Sequence, residues 1–169
     1  ELVAALDMRA RKSLGQNFLF DLNLTRRIAS SAGKLDGTTI EVGPGPGGLT
    51  RALLLEGAAH VIAIEKDFRA GSVLSSLIHA ADGRLELVEA DALKTNLWEI
   101  GAAPRRIVAN LPYNIATSLL IQWLEHASAF DTLTLMFQRE VAERITAQPG
   151  DSNFGRLSIL TGWIADSVI

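Results

Sequence analysis

Short runs rich in β-branched and aliphatic residues recur along this chain, separated by stretches whose apolar positions follow helical spacing. The runs at residues 38–42, 60–65, 84–89, 106–109 and 132–137 predict strands. Residues 49–56, 67–80, 117–126 and 139–147 predict helices between and after them, and 22–32 predicts a helix ahead of the first strand, with Asp21 placed to cap its N-terminus. Strand alternating with helix predicts an α/β fold, a mostly parallel sheet with helices on both faces. Farther on, Phe154, Leu157, Leu160 and Ile164 fall at helical spacing and predict a helix over 154–165, preceded by Asn153. Ser167-Val168-Ile169 then reads as the opening of another strand, so we expect a piece of a longer chain whose sheet lacks its C-terminal part.

Ligands of such sheets bind beyond the carboxyl ends of the strands, where strand order reverses. The chemistry-bearing residues gather at those ends: a glycine turn after the first strand, Glu65 ending the second, Asp91 just past the third and Asn110 ending the fourth. Asn110-Leu111-Pro112-Tyr113 is the most informative of these. The exocyclic N6 of adenine is a poor nucleophile because its lone pair is delocalised into the ring, so methylating it calls for acceptors that hold both amino hydrogens. The Asn110 side-chain oxygen supplies one; a turn stiffened by Pro112 offers the Leu111 or Pro112 carbonyl as the second, and Tyr113 offers a ring for the base to stack on. The same four residues also suit an ordinary turn after a buried strand.

The glycine turn, Gly43-Pro44-Gly45-Pro46-Gly47-Gly48, satisfies G-x-G-x-x-G literally, with acidic Glu65 downstream, and so raises a dinucleotide site. Pyrophosphate binding, however, relies on backbone N–H groups aimed at the anion, and Pro44 and Pro46 remove two of them. A turn poor in donors better suits the thioether and amino-acid part of S-adenosylmethionine. Glu65 is then placed to accept from the ribose hydroxyls and Asp91, in Glu89-Ala90-Asp91-Ala92, from the cofactor's adenine amino group, while Glu41 either reaches the methionine end or caps nearby N–H groups.

Composition narrows the classes. With 169 residues, 48% apolar and 21% charged, the chain reads as one globular domain. No apolar run reaches the roughly 18 residues of a membrane span and the first residues do not resemble a signal peptide, so a cytoplasmic protein without a membrane partner is expected. The absence of cysteine excludes disulfides and thiolate chemistry. His60, His79 and His126 show no ligand spacing, so no metal is expected. A net charge of -3 gives nucleic-acid binding no support, although Arg9, Arg11 and Lys12, then Arg26-Arg27, Arg105-Arg106, and Arg139, Arg144 and Arg156 form groups that either line one face or are ordinary solvated surface. Trp98, Trp123 and Trp163 are expected in core or interdomain packing rather than on RNA.

With these residues placed, the chain closely resembles the family of rRNA adenine N6,N6-dimethyltransferases, most nearly its bacterial KsgA-type small-subunit branch. The resemblance rests on Gly15-Gln16-Asn17-Phe18-Leu19, Glu41-Val42-Gly43-Pro44-Gly45, Ile64-Glu65-Lys66-Asp67, Glu89-Ala90-Asp91-Ala92, Asn110-Leu111-Pro112-Tyr113-Asn114-Ile115, Phe137-Gln138-Arg139-Glu140-Val141-Ala142 and Phe154-Gly155-Arg156-Leu157-Ser158. It implies a Rossmann-like class I methyltransferase fold, with residues 1–36 as a segment that covers the cofactor and faces RNA, 37–169 as a truncated S-adenosylmethionine-binding domain, and a helical C-terminal domain absent. It further implies that Asn17 and Leu19 meet the methionine end of the cofactor, Gly43 its turn, Glu65 the ribose, and Asp91 with Ala92 the adenine, while Asn110 lies where cofactor and target base meet. The implied activity is dimethylation of adenines in small-subunit (16S) rRNA within a pre-30S particle, by a monomer. Methylation of large-subunit rRNA or DNA adenine, or service as a ribosome-assembly binding factor, are the alternatives, with a nicotinamide dehydrogenase more remote.

Overall fold

A computed structural model describes Leu19 and residues 21–169; Asn17 and the basic group Arg9, Arg11 and Lys12 lie outside the described residues. Helix α1 (Leu22–Ser31) leads into β1 (Thr38–Val42), α2 (Gly48–Leu55), β2 (His60–Glu65), α3 (Ala70–Ala80), β3 (Leu85–Glu89), β4 (Arg105–Asn110), α4 (Tyr113–Glu125), β5 (Thr132–Met136), α5 (Arg139–Thr146) and α6 (Arg156–Ile164). All neighbouring strands run parallel in the order β3-β2-β1-β4-β5. The chain builds outward from β1 to β3, then returns to place β4 on the other side of β1. The strand order therefore reverses between β1 and β4, and a crevice at the carboxyl ends of these two strands follows.

Both faces of the sheet are covered, which is why its central strands read as nearly continuous apolar runs. On one face Val61, Ala63 and Val108 pack with Leu49, Leu53 and Ala29 of the flanking helices. On the other, Ile40, Ile62, Ile64 and Ile107 pack with Leu119 and the fully buried Trp123 of α4. Leu120, Leu124 and Ile145 join Leu157 and Leu160 to seat α5 and α6 beside β5.

The boundaries differ from the sequence pattern where side-chain chemistry competes with periodicity. Asp21 caps α1 as expected, its carboxylate accepting from Asn23 N–H at 2.8 Å. Helix α4 begins at Tyr113 rather than at 117, because Pro112 fixes the entry and the polar Asn114 and Thr117 mask an apolar stripe that starts farther on. Helix α3 begins at Ala70 rather than 67, since residues 66–69 form a turn held by Asp67. Helix α6 starts after Gly155, not after Asn153. Ser167-Val168-Ile169 form no strand: among the described residues none pairs with them, and Val168 and Ile169 are exposed.

The reading of the basic groups also changes. Arg106 does not belong to a basic face; it is buried and its guanidinium bonds the Asp36 backbone carbonyl, the Asp36 carboxylate at 3.1 Å and the Asp131 carboxylate at 3.2 Å. Arg105 likewise turns inward, donating to the Ile100 carbonyl at 2.9 Å. Trp123 is core and Trp98 stacks on His126 with ring centroids 3.7 Å apart, but Trp163 is 88% exposed and packs in no core. Among the described residues no helix is long and apolar enough to cross a membrane.

Candidate active site

The turn after β1 needs left-handed backbone that only glycine adopts cheaply: Gly43, Gly45 and Gly47 have φ of 72°, 52° and 85°. A side chain at Gly47 would come within 2.5 Å of Leu74, and one at Gly48 within 2.4 Å of the Leu19 carbonyl oxygen. Leu19 therefore lies against the start of α2. By contrast, a Cβ at Gly43 would meet nothing nearer than Pro112 Cδ, at 4.0 Å. Gly43 and Pro112 thus stand on opposite sides of the crevice, with about a methyl group's room between them.

That space is part of a cavity of about 350 Å³ lined by the ends of β1 to β4. Its walls include Val42 and Gly43 from the first turn, Glu65 from β2, Asp91 and Ala92 after β3, and Asn110 ending β4. Glu65 is nearly buried; its Oε1 accepts from Asp67 N–H at 2.9 Å and its Oε2 from Gly45 N–H at 3.4 Å. Burial pushes its carboxyl above the usual range, and these backbone N–H groups pull part of the way back. Asp91 is more exposed and held below the ordinary value, first by the Lys66 ammonium at 2.9 Å and then by Leu93 N–H at 3.1 Å, through which it caps the turn Ala92–Lys94.

Asn110 lines the cavity at its β4 end, joined there by Pro112, Asn114 and Ile115. The Pro112 carbonyl accepts from the N–H groups of both Ile115 and Ala116 at 3.1 Å. Opening α4 thus occupies it, which removes Pro112 from the pair of carbonyls considered above and leaves Leu111. The Leu111 side chain is buried beneath the site, and Tyr113, 45% exposed, stands outside the cavity lining at the first position of α4.

Beneath the glycine turn lies Glu41, only 1% exposed. Burial, with a smaller contribution from the Glu65 charge, pushes its carboxyl up to about 8. Its Oε2 and the neighbouring Thr50 hydroxyl both lack a hydrogen-bond partner. Glu41 is not in the cavity wall, so of the two roles open to it the structure leaves it below the turn. No group of three or more His, Asp or Glu suited to a metal occurs among the described residues.

The cavity therefore unites Gly43, Glu65, Asp91, Ala92 and Asn110; Leu19 lies against Gly48, outside its lining, and Asn17 is outside the described residues. The sequence pattern missed Lys66, Phe68, Leu93 and Asn114, which also line it. Lys66 and Asn114 stand inside the motif runs that carry the family resemblance, whereas Phe68 and Leu93 are marked only by falling within a few residues of a strand's carboxyl end.

With that geometry fixed, comparison with known proteins is decisive. The family model described as "Ribosomal RNA adenine dimethylase" matches residues 7–168. The chain belongs to this family. It is 58% identical to the ribosomal RNA small subunit methyltransferase A of Rhodospirillum rubrum, over 98% of this chain and 58% of that protein. The chain thus spans somewhat more than half the length of the curated relatives it matches. Among solved structures, a dimethyladenosine transferase from Plasmodium falciparum superposes with a TM-score of 0.73 at 34% identity, covering 85% of this chain and 51% of that one. The 23S rRNA methyltransferase ErmE gives 0.70 at 34%, covering 86% and 55%. The expected α/β, Rossmann-like methyltransferase fold is thereby established for this member of the dimethylase family.

Proposed function

We propose that this chain carries the catalytic site of an S-adenosylmethionine-dependent enzyme that dimethylates adenine N6 in small-subunit rRNA. The observation that carries the reading is the single cavity in which Gly43, Glu65, Asp91 and Asn110 meet at the strand-order reversal. The residues suit that cofactor. Glu65 is a buried carboxylate with acceptor capacity left for ribose hydroxyls, Asp91 is a charged acceptor for an amino group, and Gly43 lines the cavity without a side chain to fill it. When bound, the cofactor supplies an electrophilic methyl on sulfur.

Every other part of the work falls to the chain. The Asn110 amide oxygen and the Leu111 carbonyl hold the two N6 hydrogens and favour a pyramidal nitrogen, with the Tyr113 ring supporting the base by stacking. Holding donor and acceptor in near-attack geometry supplies the rate. The adenine has to leave its stack to reach the strand ends, which is easiest in a single-stranded loop. In this reading the segment ahead of α1 covers the cofactor and faces the RNA, with Asn17 and Leu19 at the methionine end, and the protein works as a monomer on ribosome precursors in the cytoplasm.

The likeness to ErmE keeps a large-subunit target as the second reading, at 34% identity against 58% for the small-subunit relative. Incubating the chain with labelled S-adenosylmethionine and either immature small subunits or large-subunit rRNA, followed by nucleoside mass spectrometry, separates the two. Dimethyladenosine in the small-subunit RNA is expected. Asn110→Ala should abolish transfer while leaving S-adenosylhomocysteine bound; transfer that survives within a few-fold overturns the gripping role.

A further inference from the structure

Phe68 is 75% exposed, yet it stands in the wall of the cavity on the same turn as Lys66 and Asp67. Single exposed apolar side chains are common and need no explanation. The surroundings set this one apart, because its backbone is fixed on both sides. Ahead of it, Asp67 N–H donates to Glu65 Oε1 at 2.9 Å; beyond it, Ala70 N–H donates to the Asp67 carbonyl at 2.9 Å and Arg69 N–H to the Asp67 carboxylate at 3.1 Å. The turn that anchors Glu65 therefore fixes the backbone of Phe68 at the cavity wall, while its exposed ring keeps its rotamer freedom. Leu93, partly exposed, lines the same cavity from the loop after β3, and Asp91 lies on that loop two residues earlier.

We propose that Phe68 closes over the adenine ring of the bound cofactor, stacking on the base while Asp91 takes its amino group. The inference rests on the cofactor reading given above and names a contact that reading did not contain. A purine covering Phe68 removes an exposed apolar ring from water and adds a base–aromatic contact. The target base is the competing occupant, but Asn110 and Tyr113 belong to the β4–α4 end, whereas Phe68 belongs to the β2–α3 turn.

Calorimetric titration with two probes, S-adenosylhomocysteine and adenosine, tests this on the unsubstituted chain, Phe68→Ala and Phe68→Tyr. Phe68→Ala should weaken both probes by about tenfold, corresponding to about 1.4 kcal/mol of lost stacking, and Phe68→Tyr should stay within about twofold. An exposed side chain contributes little to folding, so melting temperatures should agree among the three proteins. Binding of both probes to Phe68→Ala within about twofold overturns the proposal, as does weakening of S-adenosylhomocysteine with adenosine unaffected. If the unsubstituted chain binds neither probe, the cofactor reading itself falls, and that control distinguishes the two failures.

Discussion

Glu65 Oε2 accepts a hydrogen bond from Gly45 N–H at 3.4 Å, so the carboxylate ending β2 also tethers the glycine turn after β1. One side chain thus couples two walls of the cavity. Its other oxygen holds the Asp67 turn at 2.9 Å.

Replacing this residue should therefore do more than remove a ribose acceptor. Glu65→Gln keeps one acceptor oxygen but turns an N–H donor toward either Gly45 or Asp67, leaving one backbone N–H unsatisfied, which costs about 1–3 kcal/mol where buried. We expect S-adenosylhomocysteine affinity to fall at least about tenfold and the melting temperature to drop by a few degrees. Calorimetry and thermal melting check both; unchanged affinity would remove Glu65 from the binding role.

Glu41 predicts a pH dependence whose sign is fixed by its burial. Its carboxyl moves from 4.5 up to about 8 in the folded protein, because burial disfavours the charged form and the Glu65 charge adds to the push. Between those values the folded chain holds a proton that the unfolded chain has lost. The stabilisation is complete below about 4.5 and disappears as pH rises through about 8. Glu65, also raised, acts in the same direction. Melting temperatures of the unsubstituted chain should fall between about pH 5 and about pH 9, and Glu41→Gln should flatten much of that slope. Parallel slopes for the two proteins would show that Glu41 stays ionised in the fold.

These two carboxylates mark what the sequence could and could not say. The strands and most helices were legible because period-2 and period-3.6 patterns survive wherever a face is buried. That Gly43, Glu65, Asp91, Ala92 and Asn110 share one cavity was legible because parallel α/β topology sends all strand ends to one edge. The choice between the Leu111 and Pro112 carbonyls stays open in the sequence, because the donors to Pro112, the N–H groups of Ile115 and Ala116, appear only once α4 is known to start at Tyr113. Arg106 read as surface because nothing local announces its partners, Asp36 and Asp131, which lie far away along the chain. Phe68 and Lys66 carried no periodic signal, being turn residues between β2 and α3.

Asp91 offers a test of base recognition separate from its capping role. Because it accepts from Leu93 N–H as well as from Lys66, Asp91→Ala removes a turn cap along with a ligand contact. A cycle with two ligands isolates the contact: the unsubstituted chain should prefer S-adenosylhomocysteine over its inosine analogue, which lacks the amino group, by about tenfold. Asp91→Ala should bind the two equally. Persistence of the preference in the variant would assign base recognition elsewhere.

Gly48→Ala sets two effects against each other at the head of α2. Alanine favours helix over glycine by up to about 1 kcal/mol, which alone would stabilise the chain. Here, however, the new methyl would lie 2.4 Å from the Leu19 carbonyl oxygen, a backbone atom with no side-chain rotation to relieve it. Leu19 has to move off the start of α2, so the helix survives and the contact between Leu19 and Gly48 does not. We expect a melting temperature within a few degrees of the unsubstituted chain, faster proteolysis near Leu19, and weaker S-adenosylhomocysteine binding. Equal proteolysis rates would mean that the segment accommodates the methyl in place, and the packing of Leu19 on Gly48 would then have no part in holding the cofactor.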